Sequence, residues 1–367
     1  MGILNFERLP ASPLVGADSA TFDRVVEGLA KDDAYRRKRI ATRCVQRLLS
    51  PLYELNKRHY RRLSLCGEQH APIFIIGHWR SGTTYVHNLL TQDERFGYCT
   101  TFQTIFPHLM LRGYRPMRYI AGLFIPSSRA ADGMPLGIDT PQEEEVALSN
   151  MTPLSFYHAL SSPQRIAYWR ERALLMNGVG GGERALWRRA MRELVATALH
   201  VQQKDMFLSK NPPHTARIAE ILRIWPDARF LYLVRNPYAV FESTCNFFSR
   251  TIRSTTLESF DMNGFEREVL ITYKALIERY ERDKVLIRSG NLFEARFEDF
   301  VADPVAMTEQ LYRAFSLGGF ERVGGRVAKY VASIGAFRQN SYTYSSTREE
   351  LVKRWCGDTL RRWNYSQ

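Results

Sequence analysis

The chain has 367 residues, 45% hydrophobic and 24% charged, with a formal net charge of +13. These proportions exclude a largely disordered or fibrous protein and fit one large domain, or a domain with a substantial insert. The charge and a pI near 9.6 point to an anionic partner: a polyanionic ligand, an acidic membrane surface or a nucleic acid.

Five cysteines are scattered (Cys44, Cys66, Cys99, Cys245 and Cys356), with no C-x-x-C pair. That pattern predicts neither a disulfide framework nor a zinc site, and a reducing compartment is expected. Met1 to Glu7 has no basic start followed by an apolar run, so no signal peptide is expected. No apolar stretch nears the roughly 18 residues of a spanning helix. A cytoplasmic protein is therefore expected, with a peripheral place on the inner face of a membrane as the further reading.

Residues 1–70 form a leader. Ile40, Cys44, Leu48, Leu52 and Leu55 recur at helical spacing among Arg39, Arg43, Arg47 and Lys57. This predicts a basic amphipathic helix over residues 35–63, with Pro51 a candidate break. Such a helix either lies on an anionic membrane or packs on the domain with its basic face solvated.

Residues 72–84, Pro-Ile-Phe-Ile-Ile-Gly-His-Trp-Arg-Ser-Gly-Thr-Thr, read as a buried strand, a glycine-bounded turn and a helix start. Backbone N–H groups at such a turn converge, and the helix dipole favours an anion there. Gly77 and Gly82 have the P-loop spacing and Thr84 the hydroxyl position, but Thr83 stands where lysine would be. The cation has moved inside the loop, to Arg80. Residues 92–160 are rich in aromatics and proline and predict short helices and loops, a candidate acceptor wall. Residues 163–203 are helical in pattern, broken at 178–182. A strand over 206–209 ends in Lys210, a helix is expected from Pro213 to Trp225, and a strand over 229–234 leads into Arg235-Asn236-Pro237. Strand, helix, strand implies a parallel sheet. Helices near 262–287 and past Pro304, and a strand near 292–297, complete the pattern.

The R-S-G-T-T loop resembles the 5′-phosphosulfate loop of sulfotransferases that use 3′-phosphoadenosine 5′-phosphosulfate (PAPS). Arg235-Asn236-Pro237 with Ser243 eight residues on is similar to that family's 3′-phosphate element. Arg296 to Pro304 resembles its Y-E-D-L-x-x-D-P segment, with Phe297 at the tyrosine position. Arg338 to Tyr342, with Trp363 to Ser366, looks like the segment that closes over the nucleotide. The resemblance implies an α/β fold: one P-loop-like domain over 71–367 with a central parallel sheet flanked by helices, plus the helical leader and an insert. It implies PAPS as donor, adenosine 3′,5′-bisphosphate as product and no metal. It assigns donor binding to Arg80, Ser81, Gly82, Thr83, Thr84, Arg235, Ser243, Arg338 and Asn340, with Lys210 and Arg80 meeting the charge on the leaving phosphate.

The acceptor, a hydroxyl or amine, needs a base. Pro141 to Glu145 resembles the P-x-E-x-E segment of bacterial members, which offers Glu143 and Glu145; His214 and His78 are the alternatives. The acceptor is expected to be a small, hydrophobic or lipid-like molecule. A P-loop kinase would need a Walker lysine, which is absent. A non-enzymatic binder of acidic lipid or nucleic acid would explain the charge but not three anion-binding elements at strand ends. No nucleic acid is expected.

Overall fold

The computed structural model describes residues 12–29, 32–65, 70–123, 125, 127–128, 136–335 and 345–365. The chain runs through helix α1 (Arg36–Leu65), strand β1 (His70–Gly77), helix α2 (Thr83–Leu90) and strand β2 (Phe96–Gly97). Helices α3 (Tyr114–Gly122), α4 (Glu144–Met151) and α5 (Gly181–Gln202) follow, then strands β3 (Met206–Lys210) and β4 (Arg229–Val234). Helices α6 (Pro237–Thr255) and α7 (Phe265–Asp283) precede strand β5 (Leu292–Arg296), and α8 (Pro304–Ala314), α9 (Phe320–Ile334) and α10 (Ser346–Arg362) end the chain. By packing it divides into two compact units, one of residues 1–69, 98–204 and 246–263, the other of 70–97, 205–245 and 264–367. The leader residues group with residues 98–204 and 246–263.

The second unit is an α/β sheet of order β2-β3-β1-β4-β5, parallel throughout. Alternation sorts its side chains. Ile73 and Ile75 of β1, with Leu208, Leu231 and Leu233, pack under Val86 and Leu89 of α2 and under Leu311 and Val327. On the opposite face Phe74 stacks on Phe230, and Tyr232 lies 3.8 Å from the Tyr280 ring of α7. Both faces are thus covered, which is why β1 and β4 read as unbroken apolar runs. β1 lies between β3 and β4, so the turns leaving these three strands share one edge of the sheet, where open α/β sheets bind ligands.

The first unit is helical. Leu49 and Tyr53 of α1 cluster with Phe102, Leu109 and Ala121. Asn56 donates to the carbonyls of His108 and Arg112 at 2.9 and 3.0 Å and accepts from the Arg112 amide at 2.8 Å. Lys38 donates to the Ser254 and Thr256 carbonyls, and Arg39 to that of Leu257, tying residues 254–257 to α1.

Several local expectations change. Helix α1 runs through Pro51 unbroken. The expected helix from Pro213 to Trp225 is a 3-10 turn, Pro212–Ala216, followed by a five-residue helix, Ile218–Leu222. Prolines at 212 and 213 hold the tighter turn, which directs His214 and Thr215 inward. Segment 163–203 is a 3-10 turn at Pro163–Arg165, a short helix Ile166–Trp169 ending in a π turn at Arg170–Leu174, and α5, which already includes Gly181 and Gly182, so the break expected at 178–182 ends before Gly181. The two-residue β2 was too short to register as a pattern.

Candidate functional site

Gly77 ends β1 with φ of +142°, and a Cβ there would lie 2.3 Å from the Leu233 carbonyl oxygen of the neighbouring strand. The Thr215 hydroxyl accepts from the Gly77 N–H at 2.8 Å and donates to the Gly77 carbonyl at 3.0 Å. The loop therefore leaves the sheet at a fixed angle. Arg80 sits at φ +67°, a conformation costly for a side-chain-bearing residue and concentrated at functional turns. Gly82, at φ +83°, starts α2 without a side-chain cap. A Cβ on Gly82 would lie 2.0 Å from the Phe297 ring, so only glycine lets the loop settle here. Ser81 and Thr83 are buried and Thr84 half-buried at the same helix start.

The loop is joined to the strand-end turn of β4. Arg235 donates to the Arg80 carbonyl at 3.0 Å, and the Arg80 guanidinium donates to the Ser243 hydroxyl at 2.9 Å. Arg80, Arg235 and Ser243 thus form one cationic, hydroxyl-bearing group. Phe297 floors it: the Arg235 guanidinium lies over its ring at 5.1 Å. A desolvated cation–π contact of this kind contributes on the order of 2 kcal/mol. The family's tyrosine position is therefore filled by a packing residue. Glu298 beside it accepts from the Asn236 amide at 3.2 Å and from the Tyr365 hydroxyl at 2.7 Å, pinning the R-N-P turn to the chain end. Arg348 of α10 bridges Glu242 and Glu266, which ties the first turns of α6, where Ser243 lies, to α7.

Lys210 ends β3 opposite Ile75 of β1 and is 1% exposed. Its charge acts on His87 of α2: burial first, then Lys210, push that imidazole down to about 3. His78 is buried, bonded through Nδ1 to the Trp79 carbonyl at 2.8 Å and packed on Tyr273; burial lowers it to about 4. His214 is buried, within 3.3 Å of the Asn211 amide and edge-on to Phe74. Arg338 and Asn340 lie outside the described residues.

The first unit holds the carboxylates. The Gln142 amide donates to the Cys99 carbonyl at 2.8 Å, and Thr101 donates to Thr140 at 3.0 Å, fixing the Pro141–Glu143 approach to α4. Glu143 takes the N-cap position, half-buried, and accepts from the Tyr157 hydroxyl. Both line a cavity of about 310 Å3 with apolar walls that include Leu14, Ile105, Leu136, Val146, Phe247 and Phe248. Glu145 is fully buried elsewhere on α4: its Oε1 accepts from the Ser155 hydroxyl at 2.8 Å and the Phe156 amide at 2.7 Å. Glu143 and Glu145, two residues apart, thus have separate surroundings, one on a cavity and one tying a loop. Tyr157, Thr215 and the stacking role of Phe297 escape sequence reading, because none belongs to a local spacing.

Two guanidinium groups and a hydroxyl, linked beside an uncapped helix start, and a strand-end lysine stand at one edge of an α/β sheet. The chain belongs to the sulfotransferase family, whose model matches residues 72–321. It is 31% identical over 298 residues to the omega-hydroxy-beta-dihydromenaquinone-9 sulfotransferase Stf3 of Mycobacterium bovis, covering 81% of this chain and 76% of that protein. The same figures hold for Stf3 of Mycobacterium tuberculosis. The fold is similar to that of sulfotransferase STF9 from Mycobacterium avium, with a TM-score of 0.68 at 18% identity over 95% of this chain and 96% of that one. Sulfotransferase STF1 from Mycobacterium tuberculosis H37Rv gives 0.62 at 15% identity over 94% and 100%.

Proposed function

We propose that this sulfotransferase takes its sulfuryl group from PAPS and delivers it to a hydroxyl on a hydrophobic, isoprenoid-like lipid. The observation that carries the donor is the linked group of Arg80, Arg235 and Ser243 beside the uncapped start of α2. Its charge suits two phosphates: the helix start at residues 82–84 with the Ser81 hydroxyl for the 5′-phosphosulfate, and Arg235 with Ser243 for the 3′-phosphate. The donor supplies an activated sulfur on its 5′-phosphate. Lys210 and the loop amides stabilise the charge that develops on the leaving phosphate oxygen. Glu143, oriented by Tyr157, takes the proton of the acceptor hydroxyl. Supporting the acceptor class are the apolar cavity around Glu143, which is at the lower end of small-molecule sites (about 300–1,000 Å3), and the likeness to a dihydromenaquinone sulfotransferase.

Calorimetric titration with adenosine 3′,5′-bisphosphate, set against ATP with magnesium, tests the donor. Arg235→Ala is expected to weaken bisphosphate binding by about 100-fold, because two or more charge-assisted bonds are lost. Preference for ATP with magnesium, or no binding of either, would overturn the reading. Lys210→Met is expected to keep bisphosphate affinity within a few-fold and lower kcat by about 100-fold.

A further inference from the structure

Helix α1 carries eight arginines and two lysines against one glutamate. At 100° per residue its buried face is Thr42, Gln46, Leu49, Tyr53, Asn56 and Tyr60. This face is half polar and is held by hydrogen bonds such as Gln46 to the Leu14 carbonyl at 2.7 Å. Of the apolar stripe visible in the sequence, Leu52 packs inward with Leu49 and Tyr53, while Ile40, Cys44, Leu48 and Leu55 lie opposite and point outward. Leu48 is 77% exposed, and Ile40 and Leu55 are each 51% exposed. Arg37, Arg47, Arg58 and Arg62 are exposed within the same arc of about 100°. Tyr114, Met117 and Ala121 of helix α3 join the cluster that holds Leu49 and Tyr53, while Tyr119, Ile120 and, just beyond, Leu123 are exposed.

We propose that this face of α1 and α3 docks on an anionic lipid bilayer. Large apolar side chains and arginines within one exposed arc of α1 suit the headgroup boundary: the leucines enter the acyl region and the arginine stems lie along it with their heads on phosphates. Ile40 to Leu55 spans about 22 Å of helix, long enough for shallow lengthwise insertion. A second copy would set this arginine-rich face against itself, and a nucleic acid would leave Leu48 and Tyr119 in water. The three reasons together favour lipid. No described helix is long and apolar enough to cross a membrane, so such docking would be peripheral. Its use, access to a lipid acceptor, rests on the reading above; the docking itself does not.

The test is flotation with vesicles of phosphatidylcholine alone and of phosphatidylcholine with phosphatidylglycerol, without donor or acceptor. The protein should float with the anionic vesicles, less so as salt rises. Ile40→Ser with Leu48→Ser and Leu55→Ser should lower vesicle partition by about tenfold or more. Arg37→Gln with Arg47→Gln, Arg58→Gln and Arg62→Gln should remove the preference for anionic lipid. Both variants should bind adenosine 3′,5′-bisphosphate as the parent does, which shows that they fold. No flotation, or flotation unchanged in both variants, overturns the proposal. So does a parent dimer that the serine variant dissolves without any vesicle binding, which would assign the face to a second copy. Flotation as expected with failed sulfation of every lipid alcohol would sink the acceptor reading alone.

Discussion

Glu143→Gln is expected to lower kcat by about a thousandfold, close to 4 kcal/mol of transition-state stabilisation, with adenosine 3′,5′-bisphosphate affinity unchanged. The amide keeps the volume and still accepts from Tyr157, so the cavity wall stays as it is. What is lost is the capacity to take a proton from the acceptor. The deficit should therefore shrink as the acceptor becomes more acidic, because an alcohol or phenol that gives up its proton readily needs less help. Glu145→Gln should behave differently. Its carboxylate accepts from Ser155 and the Phe156 amide in a fully buried place, so the change removes charge-assisted bonds and lowers stability by roughly 1–3 kcal/mol. A melting temperature and a single-turnover rate measured on both variants separate the roles. Equal kcat losses that do not depend on acceptor acidity would remove Glu143 from the proposed mechanism.

That contrast between neighbours shows where reading the sequence stops. Strand, glycine-bounded turn and helix start are encoded within residues 72–90, and Arg235 and Ser243 fall eight apart on one strand-helix junction. Short-range geometry of this sort survives any tertiary context. Which of two carboxylates two residues apart meets a cavity depends on Leu14, Leu136 and Phe247, far apart in the chain. Phe297 reads as a departure from a tyrosine motif, yet its ring underlies both Gly82 and Arg235, a role only contact reveals. Helix α1 misleads in another way. Its apolar residues were legible at the right period, but period does not say which face packs. Thr42, Gln46 and Asn56 bury through hydrogen bonds that hydropathy cannot mark, and of the apolar stripe Ile40, Leu48 and Leu55 are left outside.

Mild acid should destabilise this protein well before its carboxylates titrate. His78 and His87 in the sheet unit and His158 in the helical unit are each buried, and burial lowers them to about 4, 3 and 4 respectively. Unfolded histidine titrates near 6.5. A folded pKa below the unfolded one means that stability is complete above about pH 6.5 and falls as pH drops towards the folded values, because only the unfolded chain takes up the protons. At pH 5 each histidine accounts for about 2 kcal/mol, so the three together remove about 6 kcal/mol, comparable to the whole stability of many domains. Urea unfolding at pH 7 and pH 5 measures it. Most carboxylates stay ionised across that window, so the slope reports the imidazoles. His87 is the informative site, since Lys210 adds to the burial effect there. His87→Gln should lower stability at pH 7, and the further loss on going to pH 5 should be smaller than in the parent by about 2 kcal/mol. A stability that is flat from pH 7 to pH 5 would mean that these rings reach water in solution, and the packing of α2 on β3 that buries His87 beside Lys210 would have to be redrawn.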